Sequence, residues 1–431
     1  MVDQVKTSMS KPMTSNVALL WDESFLWGIM AYKALNSANL PFDLIRSQDI
    51  KNGKLKKYKM LFAPGGWASN KLKSLGEEGV NEIKKFVKSG GNYLGFCGGA
   101  GLATLDGIGL LNIKRKPTKE RVPSFSGRIE LKVSKHPVWE GIPAADAVAI
   151  RESPLLHPTP YTLHPVFHAW WPSQFYIEDR SIKILASYGD ALPDAFSSDL
   201  NVGDVATNGD WEELEKVYRI NLDPKRLLNE PAVVEGNYGK GKVILSLVHF
   251  DTPDDVSGQL VLKNLWKHLK SQELGVKSQE LRVKSYNSKL IAELEAAITD
   301  LVSLGERNFL WFWKNPMLLQ WRRGVRGLEY CTLYVMVKEI AAQSTEHRTQ
   351  NIDQKLGEIR DLLASFADRA KRLLLLERQA MQKGRITYEK CDDPEIRKLR
   401  LELFSASKSH GGMFKELIDE IDGLLFELLN P

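Results

Sequence analysis

Three cysteines in 431 residues, Cys97, Cys331 and Cys391, are too few and too widely spaced for a disulfide framework or a metal-ligand pattern, and any pairing leaves one thiol over. That excludes a stapled secreted scaffold and fits a reducing, cytoplasmic setting. The chain also lacks any apolar run of the roughly 18 to 20 residues a membrane-spanning helix needs. Its most apolar C-terminal stretch is interrupted by Lys314, Arg322, Arg323, Arg326, Glu329 and Lys338, so no transmembrane segment is expected. Residues 1–15 are polar, lack the apolar core of a secretory signal and read as a short disordered lead-in. Net charge is only +5, with acids and bases intermixed, so charge alone does not argue for nucleic acid.

What is present is enough apolar residue, 43% of the chain, for two or three domains with proper cores. Short β-type runs at 17–21, 42–45, 60–63 and 93–96 alternate with helical stretches near 27–35 and 80–87. Strands alternating with helices predict an α/β fold with a doubly wound, mostly parallel sheet. Functional groups of such sheets gather beyond the carboxyl ends of the strands.

Cys97 lies at one such end, in Asn92-Tyr93-Leu94-Gly95-Phe96-Cys97-Gly98-Gly99-Ala100-Gly101. An apolar strand that breaks into glycines and a short helix has the pattern of a nucleophile elbow, and a helix N-terminus favours the thiolate. The bland alternative is an inert cysteine in a glycine-rich turn. A second strand runs into Pro64-Gly65-Gly66, whose N–H groups suit an oxyanion hole. Downstream, Gly239-Lys240-Gly241-Lys242 predicts a hairpin turn that feeds an apolar strand ending at His249-Phe250-Asp251. A cysteine, a histidine and an acid on separate strand ends can make an activated nucleophile, with the imidazole taking the thiol proton and the carboxylate orienting the ring. Asp22 and Glu23 follow the first strand; they read first as helix N-terminal acids and second as pocket residues.

These segments together resemble the class I glutamine-amidotransferase-like superfamily, and within it the biotin-protein-ligase N-terminal-like family, over residues 16–270. His136-Pro137-Val138-Trp139-Glu140-Gly141-Ile142 also resembles a segment of trehalose-utilisation-like relatives. The resemblance implies Cys97 as nucleophile and Gly65 and Gly66, with Gly98 and Gly99, as the oxyanion and pocket backbone. Two departures stand out. Active glutaminases of the superfamily commonly carry His-Pro-Glu where this chain has His249-Phe250-Asp251, and Gly99 takes the place of a glutamine that helps hold substrate. No Gly-Arg-Gly-x-x-x-Arg segment supports biotin ligation.

The middle of the chain places His157, His164 and His168 among prolines and aromatics. Their spacing lacks a helical metal-ligand pattern, so a structured loop at the sheet edge is expected, its aromatics available to wall a ligand pocket. After about residue 275 glycine and proline become scarce. Helical stripes at 281–304, 328–342, 352–381 and 394–429 predict an all-helical bundle. Within it, residues 308–326 combine Trp311, Trp313 and Trp321 with an arginine cluster. Core or interdomain packing is the expected use; nucleic-acid or membrane-surface contact is the alternative.

The sequence therefore divides into 1–15, an amidotransferase-like domain at 16–274 and a helical domain at 275–431. Its function reads as a binding or regulatory module with a small-molecule pocket centred on Cys97, and a helical domain for a protein partner or self-association. The alternative is a cysteine-dependent amide or ester hydrolase, or glutaminase-type enzyme, using Cys97, His249 and Asp251. No metal and no cofactor are expected.

Overall fold

The computed structural model describes residues 15–143, 164–270, 288–343, 350–384, 391–406 and 409–430. Residues 1–14 of the lead-in expected at 1–15, His157 and the expected boundary at 274/275 lie outside them.

The core strands β1 (Val17–Leu20) and β3 (Met60–Ala63) are buried along their whole length. Continuous apolar strands of this kind need cover on both faces, as a parallel sheet with helices provides. With β2 (Asp43–Ile45), β4 (Asn92–Phe96) and β13 (Gly241–Ser246) they form the parallel half, in the order β2-β1-β3-β4-β13. One row of side chains crosses it: Leu44, Leu19, Phe62, Leu94 and Ile244 lie in register. The chain leaves β1 toward β2 through the helix Leu26–Ser37, then reverses and runs β3 to β4 through the helix Ala68–Lys88. Right-handed crossovers in opposite directions along the sheet put these helices on opposite faces. The first packs against the helix Val256–Lys270, the second against a short helix at Ser47–Lys51. This is the doubly wound α/β arrangement expected.

The other six strands of the eleven-stranded sheet pair antiparallel, so the sheet is mixed and not mostly parallel as the sequence predicts. Here β12 (Pro231–Tyr238) pairs with β13 and with β9 (Lys183–Ala191). Next come β6 (Phe125–Val133) and the short β10 (Phe196–Ser197) and β11 (Leu200–Asn201). The segment expected to be a histidine-rich loop contains a strand instead, β7 (Val166–Trp170), paired with β6. Phe167 and Ala169 are buried while Val166 and His168 are half-buried, a period-2 signal that the neighbouring prolines obscured. A separate pair, β5 (Ile113–Arg115) with β8 (Phe175–Ile177), lies off the sheet.

The C-terminal region contains the helices Ser288–Arg307, Gly327–Gln343, Gln350–Gln382, Pro394–Phe404 and Gly412–Leu429. One sequence expectation is corrected here and one is refined. The region is not all-helical, because residues 311–321 form a hairpin of β14 (Trp311–Asn315) and β15 (Leu318–Trp321), with Trp311 opposite Trp321. Pro316 at its turn cannot continue a helix, and aromatic residues favour strands. The helical stretch expected at 394–429 is resolved into two helices, the first ending where Ser405 takes a φ of 57° and the second starting at Gly412. The tryptophans of the aromatic stretch pack internally, while Phe309 and Phe312 are exposed. Trp311 is buried, Trp313 lies 4.8 Å from Tyr334, and Trp321 stacks on Trp171 at 5.0 Å. No described helix is long and apolar enough to cross a membrane.

The helical region rests on the carboxyl edge of the parallel strands. Arg46, just after β2, donates to Asp22 at 3.1 Å and to Asp422 at 3.2 Å, and lies over the Phe426 ring at 4.3 Å. Burial pushes the Asp422 carboxyl up to about 7 even though Arg46 pulls it down. Arg46→Ala is therefore expected to lower the melting temperature, at a cost of about 1–3 kcal/mol allowing for the partial exposure of the guanidinium. Arg46→Lys should recover little, since one ammonium cannot fork between two carboxylates. Calorimetric melting indistinguishable from wild type in Arg46→Ala would show that this bridge is not structural.

Candidate active site

Cys97 is the hinge between β4 and a short helix, Gly98–Leu102, with φ 48° and ψ −106°. A non-glycine residue there is strained by about 1–3 kcal/mol and persists only when its surroundings hold it. Both sides do so: the Cys97 N–H donates to Ser246 O on β13 at 2.8 Å, and its carbonyl accepts from Gly101 N–H at 2.9 Å. The thiol is half-buried, on the same sheet edge as the ends of β1, β3 and β13.

The glycines around it are required by close approach. A Cβ on Gly98 would lie 1.8 Å from Gly66 O, and one on Gly99 would lie 1.9 Å from Ala63 O. Gly66 itself has φ 113°. Thus the Pro64-Gly65-Gly66 turn and the Cys97 elbow abut backbone to backbone, while Gly65 faces the Trp27 ring. Neither the Gly66 nor the Gly98 N–H enters a backbone–backbone hydrogen bond among the described residues.

His249 and Asp251 follow β13 and are fully buried. His249 N–H donates to His168 O at 2.8 Å, and Thr252 Oγ1 donates to His249 O at 3.0 Å, which fixes the backbone. Asp251 Oδ1 lies 2.9 Å from Nδ1; a carboxylate only accepts, so Nδ1 carries the proton. Nε2 is buried with no hydrogen-bond partner among the described residues. Burial alone would lower the imidazole pKa, but the Asp251 charge and hydrogen bond, together with Cys97, raise it well above the usual histidine range. The Trp27 ring covers the imidazole at 4.7 Å.

Asp22 and Glu23 are not helix N-terminal acids, and the Glu23 carbonyl lies against Gly66. The helix Leu26–Ser37 has no acid in its first turn. Asp22 accepts from Arg46 and from Ser47 N–H at 2.6 Å, and Glu23 accepts from Asn70 at 3.2 Å and pairs with Lys415 at 3.1 Å. They tie the β1 loop to its neighbours and to the helical region. Sequence reasoning missed Lys71, whose context reads as a solvated helix face. Lys71 is 1% exposed, donates to Asp22 O at 3.2 Å and to Ser24 Oγ, and is pushed down to about 7 by burial. It braces the loop beneath Gly66 and is electrostatically coupled to Cys97. Trp27 was also missed, since an apolar residue in a buried helix carries no positional signal.

Of the histidine trio, His168 Nδ1 pairs with Asp255 at 3.1 Å. Among the described residues, no set of three ligating side chains includes His164, His168 or Cys97. Two open surface grooves, of about 360 and 650 Å³, lie away from Cys97, beside Tyr176 and Glu230 and beside Arg369 and Arg372.

Among solved structures, the chain is similar to a glutamine amidotransferase at 18% identity and a TM-score of 0.35, covering 60% of this chain and 100% of that one. It is similar to a glutamine amidotransferase from Thermotoga maritima at 12% identity and 0.32, covering 59% and 82%. A β-galactosidase from Rahnella sp. R3 matches at 16% identity and 0.35, over 59% of this chain and 31% of that one. Among curated proteins, none matches the chain in sequence. Residues 45–106, which contain the Pro64-Gly65-Gly66 turn and the Cys97 elbow, match the family described as biotin-protein ligase, N terminal.

Proposed function

We propose that the chain is a cysteine-dependent acyl-transfer enzyme acting on amides or esters. The sequence alone ranks a binding or regulatory module first. The observation that reverses this order is the buried His249–Asp251 pair, whose Nε2 makes no hydrogen bond while Cys97 is among the groups that raise the imidazole pKa.

In this reading the Cys97 thiol passes its proton to His249 Nε2 as the sulfur attacks the substrate carbonyl carbon, and the carbonyl oxygen, now an anion, is held by the Gly66 and Gly98 N–H groups. His249 Nε2 gives its proton to the departing amine or alkoxide as the C–N or C–O bond breaks, leaving a thioester. A water then gives a proton to Nε2 as it attacks the thioester carbonyl; the C–S bond breaks to release a carboxylic acid, and Nε2 returns its proton to the sulfur, restoring the thiol. Asp251 keeps the proton on Nδ1 and balances the imidazolium, as in Ser-His-Asp enzymes. With Gly99 in place of a glutamine side chain, nothing in the elbow restricts the amide to glutamine. The helical region contributes to the substrate side through a line of rings, Trp321 on Trp171 at 5.0 Å, Trp171 to Trp27 at 6.1 Å and Trp27 on His249. It is also the surface for a protein partner or self-association. The three unpaired thiols fit a cytoplasmic setting.

The test is the rate of Cys97 carbamidomethylation by iodoacetamide between pH 5 and 9, read by peptide mass spectrometry, against free N-acetylcysteine as the ordinary thiol. Cys331 is buried and pushed up to about 12 by burial, so it stays silent. Expected is fast modification at pH 6, lost in His249→Asn. A profile that follows N-acetylcysteine, or one unchanged by His249→Asn, would sink the proposal.

A further inference from the structure

The resemblance segment beginning at His136 is not used by the Cys97 site. His136 caps the turn Pro137–Trp139, which packs on the helix Val256–Lys270; Asn264 Nδ2 locks the two by donating to Val138 O at 3.1 Å and Glu140 O at 2.8 Å. From that helix His268 reaches the same place, and Glu235 reaches it from β12. Glu235 Oε2 lies 2.8 Å from His268 Nε2 and 3.7 Å from His136 Nε2, and all three donor atoms fall within 4.8 Å of one another. The cluster sits beside the first residues of β13, whereas His249 follows its last.

We propose that His136, Glu235 and His268 form a binding site for a divalent transition-metal ion of the zinc type, with water completing a four-coordinate shell. Two imidazoles and one carboxylate are a known zinc donor set that leaves one position open. Bonds of about 2.0–2.1 Å put the donor atoms of a tetrahedral site roughly 3.3 Å apart. The observed 2.8 and 3.7 Å lie either side of that spacing. The donors come from three separate elements and are mostly buried, so little has to be ordered for a metal to bind.

Positive charge already gathers at this point. Lys242 Nζ lies 3.2 Å from His268 Nε2 and 3.9 Å from Glu235, and Lys183 lies 4.0 Å from Glu235. Both lysines are solvent-facing, at 41% and 72% exposed, so their ammonium groups can leave to water when a doubly charged ion takes their place. Two further contacts have to change: the His268 Nε2–Glu235 hydrogen bond gives way to shared coordination, and His136 loses a backbone donor. The Val138 N–H points to His136 Nδ1 at a long 3.3 Å, and ligation through Nε2 moves the ring proton to Nδ1, which gives up that contact.

The full chain carrying Cys97→Ser is titrated with Co²⁺ and read by visible absorption, so that the half-buried thiol cannot enter the shell. Expected are tetrahedral-type bands that saturate at one equivalent, vanish on adding Zn²⁺ and weaken more than about tenfold in affinity in His268→Asn and Glu235→Gln. Lys242→Ala removes a competing cation without touching the core and should tighten binding, a change no merely structural role predicts. Absence of a saturable spectrum, or a spectrum that His268→Asn and Lys242→Ala both leave unchanged, would overturn the assignment. Neither result depends on whether Cys97 is catalytic.

Discussion

Gly99→Ala is expected to be among the most damaging single substitutions in the α/β part, although it adds one methyl group. The new Cβ would lie 1.9 Å from Ala63 O and 2.6 Å from Ala63 C, atoms of the last residue of β3. Backbone inside a buried parallel sheet cannot yield as the tip of a flexible side chain can, so the elbow or the ladder between β3 and β4 must distort. Overpacking of this kind costs about 3 kcal/mol or more. For a unit of this size that lowers the melting temperature by roughly 6–12 °C. Gly98→Ala meets Gly66 O at 1.8 Å and should behave alike. Cys97→Gly should do the opposite. Glycine accepts a φ of 48° without penalty, so this variant should melt at or above the wild-type temperature, while Cys97→Ser keeps the strain and melts near wild type. Differential scanning fluorimetry on the four variants decides the matter. Wild-type melting of Gly99→Ala would mean that the elbow and the Pro64-Gly65-Gly66 turn are not in backbone contact.

Asp251→Asn is expected to have the second large effect, and it separates stability from chemistry. The folded state raises the His249 pKa above its unfolded value of about 6.5. A raised histidine contributes stability that is fully present below about pH 6.5 and is lost as pH rises through the folded pKa. Wild type should therefore lose stability from neutral into alkaline solution. Asp251→Asn removes the charge that holds this proton, so the slope should flatten. At pH 6 the variant should be less stable by about 3 kcal/mol, because a buried pair with one partner removed leaves the other uncompensated. If the acyl-transfer proposal holds, the variant should also lose on the order of 10⁴-fold in turnover, through the wrong ring tautomer. Melting curves at several pH values check the first part without a substrate. A slope equal to that of wild type would show that Asp251 does not govern His249.

Much of this site was legible before any coordinates. Cys97, His249, Asp251 and the four glycines each end an apolar strand, and strand ends of a parallel sheet share one edge. What was not legible was the pairing across the sheet. Nothing local says that β13, some 150 residues downstream, lies beside β4, yet that adjacency puts His249 and Cys97 after neighbouring strands. The same is true of Lys71, whose solvated-looking context is overridden by the loop that closes over it.

Local pattern determined the α/β alternation, the helical stripes and the elbow, because hydrophobic period and glycine placement act over a few residues. It did not determine the hairpin at 311–321, where aromatic density suits both helix core and strand until Pro316 and the Trp171 contact choose between them. Nor did it bring His136, Glu235 and His268 together, since they stand far apart in the chain on three different elements. Those placements came from burial. Each element had to cover the apolar face of another, and the order in which the sheet accepted its strands decided which polar groups met.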